Sequence, residues 1–304
     1  MYFYTDKIIK AAIETGVRLQ TTRTLAGQWD KDCVRLKELE ELINTYKDES
    51  LISFNAGIHG LYTSDRSYVK KCVDFAEKMN IPIHMHFCEN MQEREDIIRD
   101  YSVQNPADVI KEDFNGIHNL LAHSVKVSEE DIKILKDTNS YISHCPISNL
   151  KLGCGIAPVI EMIDAGLCVA LGTDGQGSGS NLDMFETMKF AALLQKGIKE
   201  RPELMPAYEV IKMATINGAK ALALDDKIGS IEEGKQADII ILNLDDILTQ
   251  PINNVFSEIV YNTKGSNVET TIVNGKILME NRALISKIDE NKVKEKCNDI
   301  FMRL

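Results

Sequence analysis

Six short apolar, β-rich runs recur along the first part of the chain: Gly16–Thr21, Leu51–Gly57, Ile81–Phe87, Gly116–His123, Ser140–Cys145 and Leu167–Thr173. Segments of helical pattern lie between them. Val69, Val73 and Ala76 fall at i, i+4 and i+7, and Leu182, Phe185, Met188 and Ala192 line another single face. Ser128 with Asp131 three residues on makes a capping box, and Asn181 can cap the helix that follows it. Strands alternating with helices predict an α/β fold with a parallel sheet, because each amphipathic helix needs a sheet face to cover.

Beyond about residue 205 the pattern changes. A helical stretch over Ala207–Ala223 precedes short strands at Ala237–Leu244, Ser257–Asn262, Val268–Val273 and Lys276–Met279, which predict a separate small β layer. Asn274-Gly275 between the last two is a hairpin signal. The tail Ile288–Leu304 reads as a helix of mixed charge.

Composition narrows the function classes. Thirty-five basic against 46 acidic side chains give a net charge of −11, which argues against a nucleic-acid partner. The most apolar stretches, Ile239–Leu242 and Leu167–Leu171, are of strand length and predict no membrane span. The amino end, Met1–Lys7, lacks the pattern of an export signal, and the seven cysteines include no C-x-x-C pair. A cytoplasmic protein with reduced thiols is the expectation.

Five of the six histidines, His59, His84, His86, His123 and His144, fall at or near the carboxyl ends of predicted strands. In a parallel barrel those ends converge on one mouth. His118 starts its strand and reads as structural or surface. In Ile83-His84-Met85-His86-Phe87-Cys88-Glu89, alternation puts both histidines on one strand face, about 6.6 Å apart. Neutral imidazoles there suit zinc, and Glu89 could relay protons beside it; hydrogen-bonded core histidines are an equal reading. Asp174 ends an apolar strand before the loop Gly175–Ser180, where it either meets a cation or caps the loop through its backbone. His59 stands just beyond a strand in a glycine-flanked turn, which suits ligand contact or a plain loop.

The order of these motifs resembles the amidohydrolase superfamily, in its branch of 5-methylthioadenosine/S-adenosylhomocysteine deaminases and chlorohydrolase-like proteins. The resemblance is carried by His84-Met-His86-Phe-Cys-Glu89, Leu121-Ala-His123, Ser143–Leu152, Leu171-Gly-Thr-Asp174-Gly, Asn181–Glu186, Ala214–Ala219 and Gly229–Asp238. It implies an incomplete TIM (β/α)8-type barrel of about six βα units over residues 1–225. A partial composite β-sandwich over 226–285 and a terminal helix over 286–304 would follow. It also implies a chain without the first two barrel strands, whose His-x-His would supply two metal ligands.

Carried over residue by residue, the resemblance implies one divalent metal, zinc or iron, on His86 and Asp174, bound weakly because the His-x-His ligands are missing. Asp174 would also take a proton from water, Glu89 would shuttle protons to the substrate, and His123 would polarise or position the water. His59, Arg23, Glu89 and His123 would contact a purine-nucleoside-like substrate. The implied reaction is hydrolytic deamination of an adenine-type nucleoside. An inactive remnant, or a guanine-deaminase-like or chlorohydrolase-like enzyme, is the alternative. Implied partners are the small molecule and either a second copy or a complementing amino-terminal fragment, with no nucleic acid and no membrane.

Overall fold

The computed structural model describes residues 4–114, 116–285 and 288–303, so Met1–Phe3 and Leu304 lie outside the described residues. Strand β1 (Leu19–Thr21) pairs in parallel with β2 (Ile52–Phe54), and Leu25 bridges to Ile58. Strands β3 (Ala56–Gly60), β4 (Ile83–Phe87), β5 (Asn119–His123), β6 (Ser140–His144) and β7 (Cys168–Leu171) then form one parallel sheet in that order. Only Asn55 separates β2 from β3, so the six predicted runs become six parallel rungs of a partial TIM-like barrel.

Side-chain alternation explains how the sheet is covered. Ile83, Met85 and Phe87 are fully buried in the main core, together with Val69 and Val73 of the helix Arg66–Met79. His84 and His86 therefore face the other way, toward the barrel interior. Leu120 and Ala170 on that interior face pack with Ala221 of the helix Ile216–Ala221 in a smaller apolar cluster. The predicted capping box is present: Ser128 accepts from the Asp131 amide across 3.1 Å and Asp131 accepts from the Ser128 amide across 2.8 Å.

A second, antiparallel sheet carries β8 (Ile239–Leu242), β9 (Val268–Val273), β10 (Lys276–Glu280) and β11 (Ala283–Leu284) in the order β11-β10-β9-β8. Asn274 and Gly275 both have positive φ, 49° and 75°, as a two-residue hairpin turn requires. Arg18 ties this sheet to the barrel, with its Nε 2.6 Å and one terminal nitrogen 3.0 Å from the two Asp238 oxygens. The helix Glu290–Phe301 follows within the predicted tail. No helix among the described residues is long and apolar enough to cross a membrane.

Three local expectations are corrected. The predicted strand Ser257–Asn262 is the helix Val255–Tyr261, capped by Asn254, whose side chain accepts from the Ser257 amide across 3.0 Å. The helix expected after Asn181 begins at Met184 with Asp183 as its cap, and Leu182 lies outside it, exposed. His59 lies within a strand. Gly57 and Gly60 read as turn signals, but a Cβ on Gly57 would lie 2.1 Å from Thr22 Cγ2 and one on Gly60 would lie 2.6 Å from the Tyr62 ring. These glycines serve close approach, not a turn.

Candidate active site

His59 is the extra residue of a β-bulge. Ile58 pairs with Met85 and Gly60 with His86, leaving His59 unmatched between them. Bulges re-aim a side chain beside a site, and here the carbonyl oxygen of His59 is turned onto His86 Nδ1, 2.6 Å away. That contact makes Nδ1 the protonated nitrogen of His86 and leaves Nε2 as its free lone pair. Burial first, then the neighbouring His123 and His59, pull the His86 pKa down to about 3, so the ring is neutral.

His123 is held in the same way. Its Nδ1 lies 2.8 Å from Asn149 Oδ1, and its ring centroid stands 5.5 Å from that of His86. Glu89 Oε1 is 3.9 Å from His123 Nδ1, and the thiol of Cys154 points at the same oxygen from 3.7 Å.

Glu93, almost fully buried, fixes where Glu89 stands. Its two carboxylate oxygens accept the amides of Cys88, at 3.0 Å, and Glu89, at 2.7 Å. Burial pushes its pKa up to about 7 against the pull of those amides.

Asp174 accepts from the Ser148 hydroxyl across 2.6 Å and from the Gly175 amide across 2.5 Å. Burial raises its pKa, but these donors, with His123 and His86 nearby, outweigh it and hold the carboxyl below its ordinary range. The chain turns through left-handed backbone at three of the strand ends, with φ of 49° at Cys88, 72° at His123 and 59° at Asp174. Aspartate and histidine tolerate that conformation better than most residues.

His59, Tyr62, His86, Glu89, His123 and Asp174 line one cavity of about 320 Å³, within the size range of small-molecule pockets. Arg23 is not brought there. Its Nε pairs with Glu38 at 2.6 Å beside a different cavity, lined also by Thr5 and Asp6. His84 and His144 are likewise outside the lining, and burial lowers them to about 4 and about 3. His118 stacks on Tyr141 at 4.2 Å, with its Nε2 3.0 Å from the Ala221 carbonyl oxygen.

Sequence reasoning gave no role to Glu93, Ser148, Asn149 or Tyr62. A signal for the first was present: Asn90-x-x-Glu93 has helix-capping spacing, and Asn90 Oδ1 accepts from the Glu93 amide across 2.9 Å. Ser148 and Asn149 belong to the motif Ser143–Leu152, but nothing in its spacing shows that they bond Asp174 and His123.

As donors, the neutral imidazole of His86, the ring of His123 and the anionic carboxylate of Asp174 have the chemistry a divalent transition metal takes. Their spacing is looser than a ligand set. Among the described residues no three His, Cys, Asp or Glu side chains gather closely enough to hold a metal ion.

The Amidohydrolase family matches residues 1–278 of this chain. A 5-methylthioadenosine/S-adenosylhomocysteine deaminase of Thermoanaerobacter pseudethanolicus is 41% identical over 298 residues, covering 96% of this chain and 69% of the relative. A 5'-deoxyadenosine deaminase of Methanococcus maripaludis is 35% identical over 311 residues, covering 100% of this chain and 72% of its own length. Among solved structures, a zinc-bound adenosine deaminase from Xanthomonas campestris superposes with a TM-score of 0.92 at 29% identity, covering 100% of this chain and 70% of that one.

Proposed function

This chain belongs to the amidohydrolase family, and from that premise we propose that it hydrolyses the exocyclic amine of an adenine-type nucleoside, releasing ammonia. The observation that carries the reading is the convergence of Glu89, His123 and Asp174 on one cavity, each oriented by a dedicated partner, Glu93, Asn149 and Ser148.

His86 and Asp174 would hold a divalent cation, with zinc favoured by the imidazole and carboxylate donors and by the zinc-bound adenosine deaminase this chain resembles. The chemistry such an ion supplies when bound is the lowering of a water's pKa toward neutrality. Asp174, kept ionised by the Ser148 and Gly175 donors, takes a proton from the attacking water. Glu89 delivers a proton to the purine ring nitrogen, then takes the proton left on the attacking oxygen and passes it to the leaving amine, and the proton held on Asp174 returns to Glu89 for the next cycle. His123, its Nδ1 committed to Asn149, turns Nε2 to the water, and His59 contacts the nucleoside. One water is consumed, and the amino group leaves as ammonia while oxygen takes its place on the ring.

The same reading divides the chain into barrel over 1–225, antiparallel layer over 226–285 and a tail over 286–304 that carries the helix Glu290–Phe301. The test is ammonia release from 5'-methylthioadenosine by the purified chain supplied with zinc, set against Glu89→Gln. Activity lost in Glu89→Gln with zinc retained supports the proposal. A second reading, an inert member of the family, is favoured by the loose spacing of the metal donors. Protein that takes up no zinc and releases no ammonia would establish it.

A further inference from the structure

Glu93 fixes the backbone of Glu89, but the Glu89 carboxylate lies several rotatable bonds away from that anchor. The thiol of Cys154 holds it. Its Sγ stands 3.7 Å from Glu89 Oε1, within reach of a sulfur donor, and among the described residues no other donor makes a hydrogen bond to the Glu89 side chain. His123 Nδ1 comes within 3.9 Å of the same oxygen, but its hydrogen bond goes to Asn149 Oδ1 at 2.8 Å.

The backbone around Cys154 is built to present the thiol. Gly153 and Gly155 flank it with φ of 71° and 105°, a conformation that glycine adopts without strain. The Cys154 amide donates to the Asn149 carbonyl oxygen across 2.8 Å, which ties the loop to the helix Pro146–Lys151. On its other side a Cβ on Gly155 would lie 2.9 Å from Lys126 Nζ, and the Lys126 amide donates to the Cys88 carbonyl oxygen across 2.8 Å. Lys126 therefore adjoins both the Cys154 loop and the residue just before Glu89.

One short segment, 148–154, thus reaches all three reactive groups. Ser148 bonds Asp174, the Asn149 side chain bonds His123, and the Asn149 carbonyl seats Cys154 against Glu89. Burial first, then the charge of Glu89, push the thiol up to about 11, so at neutral pH sulfur keeps its proton and acts as a donor, not as a nucleophile. A donor on Oε1 makes the two carboxylate oxygens unequal. Oε1 is engaged, and Oε2 is the oxygen left open to exchange protons.

We propose that Cys154 is the positioning residue of the Glu89 side chain, its thiol binding Oε1 and so assigning the proton transfers to Oε2. This deepens the deaminase reading given above and rests on it.

The test has a kinetic and a spectroscopic arm, both on the whole zinc-supplied chain. With 5'-methylthioadenosine as substrate, Cys154→Ala is expected to lower kcat by about 2- to 10-fold, the worth of one modest hydrogen bond, while KM stays within about twofold. Cys154→Ser, which keeps a donor, should recover most of that loss. Circular dichroism establishes that the variants fold. The S–H stretching band of Cys154 is isolated as the infrared difference between wild type and Cys154→Ser, and the same difference is taken in a Glu89→Ala background. The band should move to higher wavenumber when Glu89 is removed, a response that a thiol of purely structural role would not give. A band that stays in place overturns the proposal, as does an unchanged kcat in Cys154→Ala or an equal loss in Cys154→Ala and Cys154→Ser. A band that moves while wild type releases no ammonia upholds the hold on Glu89 and sinks the deaminase reading. Ammonia released with a band that does not move does the reverse.

Discussion

The carbonyl oxygen of His59 lies 2.6 Å from Nδ1 of His86, so a bulge in one strand sets the tautomer of a histidine on the next. His86 thereby presents a neutral ring with a free Nε2 lone pair, and in the proposed site its side chain is the one whose removal should cost the most metal. His86→Ala is expected to lose zinc by at least about tenfold in affinity while the chain stays folded, since even a partner behind a ligand is worth about 10- to 100-fold. Competition with a chelating dye measures this, and retention of zinc at wild-type affinity would remove His86 from the ligand set.

Ser148 gives Asp174 one of its two hydrogen bonds. Ser148→Ala should raise the Asp174 pKa toward its ordinary value and lower ammonia release by about tenfold, as loss of a supporting hydrogen bond does. Ser148→Thr, which keeps the hydroxyl, should recover part of it. The rate profile against pH checks the assignment: its acidic limb should move upward in Ser148→Ala alone.

Glu93 uses both oxygens on adjacent amides. In Glu93→Gln one of those amides faces an NH₂ group that cannot accept. The expected cost is about 1–3 kcal/mol of stability, that of a buried donor left unsatisfied, together with a fall in kcat larger than the change in KM because Glu89 is no longer held. Urea unfolding and steady-state kinetics on the same preparation measure the two effects.

Arg18 joins the barrel to the antiparallel sheet through Asp238. Burial raises the Asp238 pKa, but Arg18 and the Asn274 amide outweigh it and hold the carboxyl below its ordinary 3.8. A depressed carboxyl pKa contributes stability that is present above the unfolded value and lost as pH falls through the folded one. Wild-type protein should therefore lose its advantage over Asp238→Asn as pH falls below the ordinary carboxyl value of 3.8 and on through the lowered folded one. The neutral-pH difference should be about 1 kcal/mol, because the pair is partly solvated. Urea midpoints at each pH test it; a constant gap would show that the pair contributes nothing.

The parallel rungs were legible because their apolar runs are bounded and separated by segments long enough for a helix, and β4 shows why the site was partly legible too. His84 and His86 interrupt an otherwise apolar strand, and alternation alone sends them to the interior. What the sequence concealed was set by contacts from distant segments. Ser257–Asn262 has β-branched content, yet Glu258 and Val260 are buried as the segment packs on the helices Met184–Lys199 and Ala207–Ala214, and helix wins. Gly57 and Gly60 look like turn glycines until Thr22 and Tyr62 are seen to occupy the space of their missing side chains. Arg23 matched a substrate-contacting pattern, but Glu38 draws its guanidinium to another cavity. The pairing of Ser148 with Asp174 spans 26 residues and follows from no local periodicity.

Left-handed backbone at Cys88 and His123 closes two rungs, and at Asp174 it follows a third by three residues. Glu89, His123 and Asp174 are consequently placed by these bends together with segments beyond the strands, where Glu93, Asn149 and Ser148 hold them. The first helical turns beyond the strands must therefore keep their places for the reactive groups to keep theirs, and length or composition is free to change only in chain that lies past them.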